Sequence, residues 1–127
     1  MDNNEDRKNN PLSPEARRIL ENSETEPPFS GKFYKHKEKG TYFCAACGND
    51  LFFSEAKYNS ESGWPSFYET INEASVDKKE DKKLGMVRTE IACGRCGGHL
   101  GHVFPDGPKP TGLRYCVNSL ALDFKRE

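Results

Sequence analysis

Two short cysteine pairs, separated by a long stretch of chain, constrain the fold more than any other feature. They are Cys44-Ala45-Ala46-Cys47-Gly48 and Cys93-Gly94-Arg95-Cys96-Gly97, which share the form C-x-x-C-G. Each pair can present two thiolates to one metal ion, and the following glycine allows the backbone to turn closely around it. Four thiolates in a tetrahedron suit zinc and leave no open position for catalysis. We therefore expect one structural zinc ion bound by Cys44, Cys47, Cys93 and Cys96.

Two other uses of these cysteines are open at this point. The pairs could be redox dithiols, although a thioredoxin-like motif belongs at a strand-to-helix turn in a βαβ unit, and the sequence contains no such unit. Alternatively, the second pair could bind zinc together with His99 and His102 and leave the first pair free. This second arrangement would leave Cys44 and Cys47, a pair of the same form, without a metal to bind.

The composition explains why such a chain would need a metal. The 127 residues are enough for one domain, but 34% are hydrophobic and 31% are charged, so the apolar core is modest. A structural zinc site that joins distant parts of the chain can contribute on the order of 10 kcal/mol to folding. We expect a flexible tail over residues 1–12 and a single domain over residues 13–127.

Charge and hydropathy exclude some classes of partner. The net charge of −1 gives no general attraction to nucleic acid or to an anionic membrane. No apolar run is long enough to span a bilayer, and the polar N-terminus lacks the apolar segment of a signal peptide. We expect a cytoplasmic monomer, in which paired cysteines more often bind metal or do redox chemistry than form lasting disulfides.

The remaining sequence predicts a mainly β protein with one short helix. Ser13-Pro14-Glu15 is typical of a helix start, with Ser as N-cap, and the prolines of Thr25-Glu26-Pro27-Pro28 end the helix. The mixed charges over 76–83 predict a solvated loop or hairpin tip. Many short strands without a βαβ rhythm favour antiparallel pairing. Strands are expected at 32–35, 40–43, 85–91, 102–104 and 113–120.

The strand at 113–120 carries the fifth cysteine, Cys116, which stands outside the pairs. Because strand side chains alternate, Arg114, Cys116 and Asn118 share one face, and apolar residues take the other. A cation beside a thiol favours the thiolate, which is the nucleophilic form. The alternative is a half-buried structural cysteine that packs as a small hydrophobic residue.

Two histidines and the single tryptophan are candidates for the same site. His99 and His102 lie three residues apart beside the second cysteine pair, and a histidine is suited to protonating an oxygen near neutral pH. Trp64 lies between Gly63 and Pro65. It either packs in the core or forms an aromatic wall for a small apolar group such as a methyl.

These motifs together resemble the B-type methionine sulfoxide reductases. The resemblance covers nearly the whole chain after its first two dozen residues, in long unbroken strings that occur in the same order. The stretches that match the family are both cysteine pairs and residues 25–31, 62–67, 85–90, 99–108 and 114–119.

The resemblance implies a fold, an activity and roles for single residues. The fold would be two antiparallel β-sheets with short N-terminal helices, stapled by a structural zinc ion, as in the MsrB-like β-tent. The activity would be reduction of the R epimer of methionine sulfoxide, mainly in oxidised proteins. Cys116 would be the nucleophile, and His99 and His102 would assist protonation of the sulfoxide oxygen. The other site residues implied are Asn118, which supports catalysis, and Trp64, Arg114 and Phe104, which line the substrate pocket.

One departure from many relatives affects the expected catalytic cycle. They carry a second, resolving cysteine just before the Gly-Trp-Pro turn, where this chain has Ser62. We therefore expect a sulfenic acid on Cys116 that thioredoxin or a small thiol reduces directly. The main rival function is a zinc-stapled module that binds a protein partner without catalysis.

Overall fold

The computed structural model describes residues 12–82 and 85–127, and it begins with the predicted helix. Helix α1 spans Pro14–Asn22, and the Ser13 side chain caps it by accepting a hydrogen bond from the Ala16 amide at 3.1 Å. Its inner face buries Ala16, Ile19 and Leu20. The expected N-terminal tail lies, except for Leu12, outside the described residues. No helix in the described ranges is both long enough and apolar enough to cross a membrane.

The strands of the described ranges form two antiparallel sheets, as expected. The smaller sheet has the order β2-β1-β9 and the larger has the order β3-β4-β8-β7-β6-β5. The chain therefore leaves the smaller sheet after β2 and returns to it only with its last strand. The bounds are β1 Gly40–Cys44, β2 Asp50–Phe53, β3 Lys57–Tyr58, β4 Ser66–Phe67, β5 Val76–Asp81, β6 Arg88–Cys93, β7 His99–Phe104, β8 Arg114–Val117 and β9 Leu122–Arg126.

Aromatic side chains join the two sheets in the core. Phe52 of β2 stacks on Phe67 of β4 with ring centroids 4.2 Å apart, and Tyr42 of β1 meets Phe67 edge-on at 5.2 Å. All three are fully buried, together with Leu100 and Val117 of the larger sheet. Because interiors pack at crystal-like density, this contact fixes one sheet against the other.

The prediction of a solvated loop or hairpin tip over 76–83 is wrong for most of these residues. Val76–Asp81 is strand β5, which pairs with β6 along all six of its residues; Lys83 lies outside the described residues. It is an edge strand, and the residues between its two ends are charged and exposed. Edge strands often carry charged side chains, which prevent them from pairing with other molecules. The composition of β5 therefore resembles that of a solvated loop.

The other strand predictions need smaller corrections. Residues 32–35 form successive turns, in which the Tyr34 amide donates to the Gly31 carbonyl, and only Phe33 is buried there. The expected strand at 85–91 begins only at Arg88, and that at 102–104 begins earlier, at His99. The last expected strand stops at Val117, because a short 3₁₀ turn then leads the chain into β9 of the other sheet.

Candidate active site and metal centre

The four paired cysteines come together in one cluster. Their sulfur atoms all lie within 4.8 Å of one another. The Sγ atoms of Cys44 and Cys96 are 3.7 Å apart, and those of Cys47 and Cys93 are 3.6 Å apart. Sulfurs bound tetrahedrally to zinc at about 2.3 Å stand about 3.8 Å from one another. The cluster can therefore hold a metal ion, and both pairs contribute to it.

The glycine after each pair makes the predicted turn. The Gly48 amide donates to the Cys44 carbonyl at 2.8 Å, and the Gly97 amide donates to the Cys93 carbonyl at 2.9 Å. Both glycines have left-handed backbone angles, with φ of 81° and 79°. Since β1 ends at Cys44 and β6 ends at Cys93, the cluster joins the smaller sheet to the larger one.

Backbone amides donate to two sulfurs of the cluster. The amides of Arg95 and Gly98 donate to the sulfurs of Cys93 and Cys96, each at 3.4 Å. Hydrogen bonds among the four thiols lower the pKa values of this second pair, while such bonds and burial raise those of Cys44 and Cys47. Metal-bound thiolates need such amide donors, which fix the ligands and stabilise their charge.

Cys116 lies apart from this cluster on β8, beside a fixed guanidinium. The Nη1 atom of Arg114 donates to Cys116 Sγ at 2.9 Å. The other side of the guanidinium binds both carboxylate oxygens of Asp106, at 2.8 and 3.2 Å, and its plane lies 4.4 Å from the Phe104 ring centroid. The hydrogen bond to Asp106 is the main cause that raises the pKa of Arg114, so the cation beside the sulfur is permanent.

The Cys116 sulfur opens into a small cavity of about 250 Å³. Only 9% of the residue is exposed, and the cavity gives access to the thiol. Two aromatic side chains, an imidazole, guanidinium groups and the thiol converge there. The lining residues are Thr25, Trp64, Arg88, Gly101, His102, Phe104, Arg114, Cys116 and Asn118.

The buried residue Glu26 positions two of these lining residues. Its carbonyl accepts a hydrogen bond from Trp64 Nε1 at 3.0 Å, and its amide donates to Asn118 Oδ1 at 3.0 Å. Asn118 in turn donates to the Leu100 carbonyl at 3.0 Å. The Glu26 carboxylate accepts from the Leu120 amide, and burial raises its pKa. Both side chains are therefore held by backbone groups.

His102 is the histidine that lines the cavity of Cys116. It stands directly opposite Cys116 in the pairing of β7 with β8, and paired residues of antiparallel strands share a face. Its Nε2 atom lies 2.9 Å from Asp81 Oδ2, which also accepts from Arg88 at 3.3 Å. The buried Asp81 carboxylate can thus orient the imidazole.

His99 lies beside the cavity rather than in it. It lines an adjoining cavity of about 410 Å³, and its Nδ1 atom is 2.7 Å from Glu90 Oε2. Its ring centroid is 5.7 Å from that of His102. Both histidines have carboxylate partners outside the cysteine cluster, which leaves the four sulfurs as the ligand set.

Sequence reasoning gave no site role to four carboxylates of this region. They are Glu26, Asp81, Glu90 and Asp106. The contact of Arg114 with Cys116, in contrast, could be predicted, because the two residues alternate on one strand and lie two positions apart in the sequence. The carboxylates act across strand pairings or loops, so no local pattern points to them.

The fold and the site define a class: a two-sheet β protein whose sheets are joined by a four-cysteine cluster, with a separate thiol in a small cavity beside an arginine, a histidine and a tryptophan. The SelR domain family matches residues 12–126, and the chain belongs to that family. The resemblance found in the sequence is thereby confirmed.

Curated relatives in the same family are highly similar over most of their length. The chain is 60% identical to peptide methionine sulfoxide reductase MsrB of Leptospira interrogans, over 91% of this chain and 88% of that protein. It is 56% identical to the protein of the same name from Methanosarcina barkeri, over 91% and 82% of the two chains. It is 58% identical to the protein of that name from Thiobacillus denitrificans, over 89% of this chain and 86% of that protein.

Proposed function

We propose that this protein is a peptide-methionine (R)-S-oxide reductase that repairs oxidised methionine in proteins. The observation that carries the proposal is the Cys116 sulfur, 2.9 Å from the Arg114 guanidinium in a cavity shared with Trp64 and His102. The names of the relatives support the reaction. The B-type resemblance supports the R epimer and protein-bound substrates.

The cavity contains each group that the first step requires. A sulfoxide sulfur accepts a nucleophile only if its oxygen is protonated, and an unperturbed thiol is only about 3% thiolate at neutral pH. Arg114 favours the Cys116 thiolate, and His102, backed by Asp81, donates the proton. The oxygen passes to Cys116 as the sulfoxide gains two electrons. The products are methionine and a Cys116 sulfenic acid.

The arrangement of the cavity walls also supports discrimination between epimers. Trp64 and Phe104 provide apolar surface for the methyl group, whereas His102 provides a proton for the oxygen. Exchanging the methyl group and the oxygen on the sulfur would place the polar atom against an aromatic ring and leave it without the donor that the site provides, which is costly. Asn118 acts by bracing the strand that carries Cys116, and His99 acts through its neighbour His102.

External thiols complete the cycle in this proposal. The other four cysteines belong to the cluster, and the residue nearest the expected resolving position is Ser62, with its Oγ 3.6 Å from Cys116 Sγ. A thiolate of thioredoxin or of a small thiol attacks the sulfenic sulfur, and the oxygen leaves as water. A second thiol then releases the mixed disulfide and restores Cys116.

We assign zinc to the four-cysteine cluster as a structural metal. Four thiolate ligands with amide donors around them suit zinc and leave no position for substrate. The metal would stabilise the junction of the two sheets. We also propose a cytoplasmic location, where four thiols stay reduced and able to bind metal, and a monomeric state.

The test compares wild type with Cys116→Ser on peptides that carry one epimer of methionine sulfoxide, with dithiothreitol as reductant. We expect methionine from the R epimer only, and none from the variant, although it keeps its metal and its circular dichroism spectrum. Turnover by Cys116→Ser, or equal rates on both epimers, would refute the proposal. A binding module without catalysis would release no methionine in either case.

A further inference from the structure

Three serine hydroxyls are linked to one another beside the Cys116 sulfur. Ser62 Oγ lies 3.6 Å and Ser66 Oγ 3.7 Å from Cys116 Sγ. Ser60 Oγ donates to Ser62 Oγ at 2.7 Å and lies 2.6 Å from Ser66 Oγ. No role has been given to these hydroxyls so far, yet two of them contact the reacting atom.

The fold holds this group of hydroxyls in place from both ends. Ser66 on β4 stands directly opposite Cys116 on β8 and is 1% exposed, so its side chain is fixed on the face that carries the thiol. Ser60 and Ser62 belong to the bend before β4, where the Ser62 amide also donates to Ser60 Oγ at 3.3 Å. The bend therefore brings both side chains back toward the sulfur.

Counting protons gives the direction of the chain. Each hydroxyl has one proton, and oxygen atoms 2.6 and 2.7 Å apart need a hydrogen between them. Ser66 Oγ has two acceptors within reach, Ser60 Oγ at 2.6 Å and the Trp64 carbonyl at 3.1 Å. Because Ser60 donates to Ser62, we assign the Ser66 proton to the shorter contact, with Ser60. The proton of Ser62 then remains for an acceptor outside the chain, which is either Cys116 Sγ or the Trp64 carbonyl at 3.4 Å. A thiolate is the stronger acceptor because it is charged.

We propose that Ser62 is a catalytic residue whose hydroxyl donates a hydrogen bond to the Cys116 thiolate, and that Ser60 and Ser66 are positioning residues that orient it. The thiolate then accepts two hydrogen bonds, one from Arg114 and one from Ser62. Successive hydrogen bonds polarise one another, so the chain makes Ser62 a better donor than an isolated serine. The effect on turnover rests on the proposed function, but the stabilisation of the thiolate does not.

The other charged and titratable groups around the sulfur are unchanged in serine variants. They are Arg114 on its own strand, His102 on β7, Arg88 on β6 and Tyr58 on β3, with the carboxylates that pair with the arginines and the histidine. The serine variants therefore isolate the contribution of the hydroxyls.

The test measures how fast iodoacetamide alkylates Cys116 in the zinc-loaded protein at pH 7 and at pH 9.5. Peptide mass spectrometry locates the modified residue. The ratio of the two rates reports the fraction of thiolate at pH 7. We expect Ser62→Ala to lower this ratio about tenfold, because a hydrogen bond to a charged acceptor is lost. Ser62→Thr keeps the hydroxyl and should stay within about twofold of wild type.

Variants of the positioning residues and a matched control complete the experiment. Ser60→Ala should lower the ratio by about threefold, since Ser62 keeps its proton but loses its orientation, and Ser60→Thr should restore it. Ser54→Ala removes another half-buried, hydrogen-bonded serine hydroxyl, which lies outside the Cys116 cavity, and should have no effect.

Two results would overturn the proposal. One is an unchanged ratio in Ser62→Ala, and the other is an equal fall in Ser62→Ala and Ser62→Thr, which would indicate shape rather than a hydroxyl. If Ser62→Ala loses zinc or its fold, the Ser60 pair decides the question. Alkylation of Cys116 does not require sulfoxide reduction. The proposed role of Ser62 can therefore be refuted while the reductase activity is confirmed, and the activity can be refuted while the role of Ser62 is confirmed.

Discussion

Replacing Arg114 by methionine tests the electrostatic basis of the site. The guanidinium donates to Cys116 Sγ at 2.9 Å, and its side chain is one-fifth exposed, so solvent screens the contact only in part. A hydrogen bond to an ionised partner contributes about 1.5–3 kcal/mol. Its loss should lower kcat/KM for an R-sulfoxide peptide about 10- to 100-fold at pH 7. Methionine keeps an apolar stem against Phe104, so the cavity wall should remain.

The pH dependence and a second arginine control this experiment. Raising the pH to 9.5 should restore the rate at which iodoacetamide alkylates Cys116 in Arg114→Met, because the thiol then ionises without help from the cation and alkylation needs no proton donor. Arg126→Met removes an exposed guanidinium that pairs with Glu38 at 2.7 Å and should stay within about twofold of wild type. If Arg114→Met were as active as wild type at pH 7, the assigned role of this arginine would be wrong.

Three other predictions concern stability. Cys44→Ala should lose the bound zinc and unfold at lower urea concentration, whereas Cys116→Ala should keep one zinc ion per chain by elemental analysis. Burial raises the pKa of Tyr42 to about 12, so the folded state holds this proton more tightly than the unfolded state does. Wild-type stability, measured by urea titration, should therefore fall as the pH rises from 10 to 12, and Tyr42→Phe should lack that fall. Burial also raises the pKa of Glu26. The folded state again binds the extra proton above pH 4.5, so Glu26→Gln should gain stability relative to wild type as the pH rises above 4.5, followed by the fluorescence of Trp64, the single tryptophan.

The sequence predicted the parts of the site that depend on neighbours along the chain. The C-x-x-C-G spacing places two sulfurs on one turn, and the alternation of Arg114 and Cys116 places a cation beside a thiol. Both were found in the structure. The helix start at Ser13 was likewise local and correct. These features need only backbone periodicity and the preferences of single residues.

Features that depend on strand pairing could not be predicted in this way. Ser66 contacts the sulfur because β4 pairs with β8 in one register, and a shift by one residue would turn its side chain to the other face. Asp81 reaches His102 from a strand whose exposed charges resemble a loop. Phe33 shows the opposite error, because an aromatic pattern suggested a strand where a single buried ring anchors a turn.

The central claim is that four sulfurs hold a metal without reacting and that Cys116 alone is oxidised. Native mass spectrometry after one equivalent of R-sulfoxide peptide, without any reductant, tests both parts at once. The account predicts a chain that carries one zinc ion and one added oxygen atom, located on Cys116 by fragmentation. A chain that has lost its zinc, or that has lost two hydrogens to an internal disulfide, would contradict it.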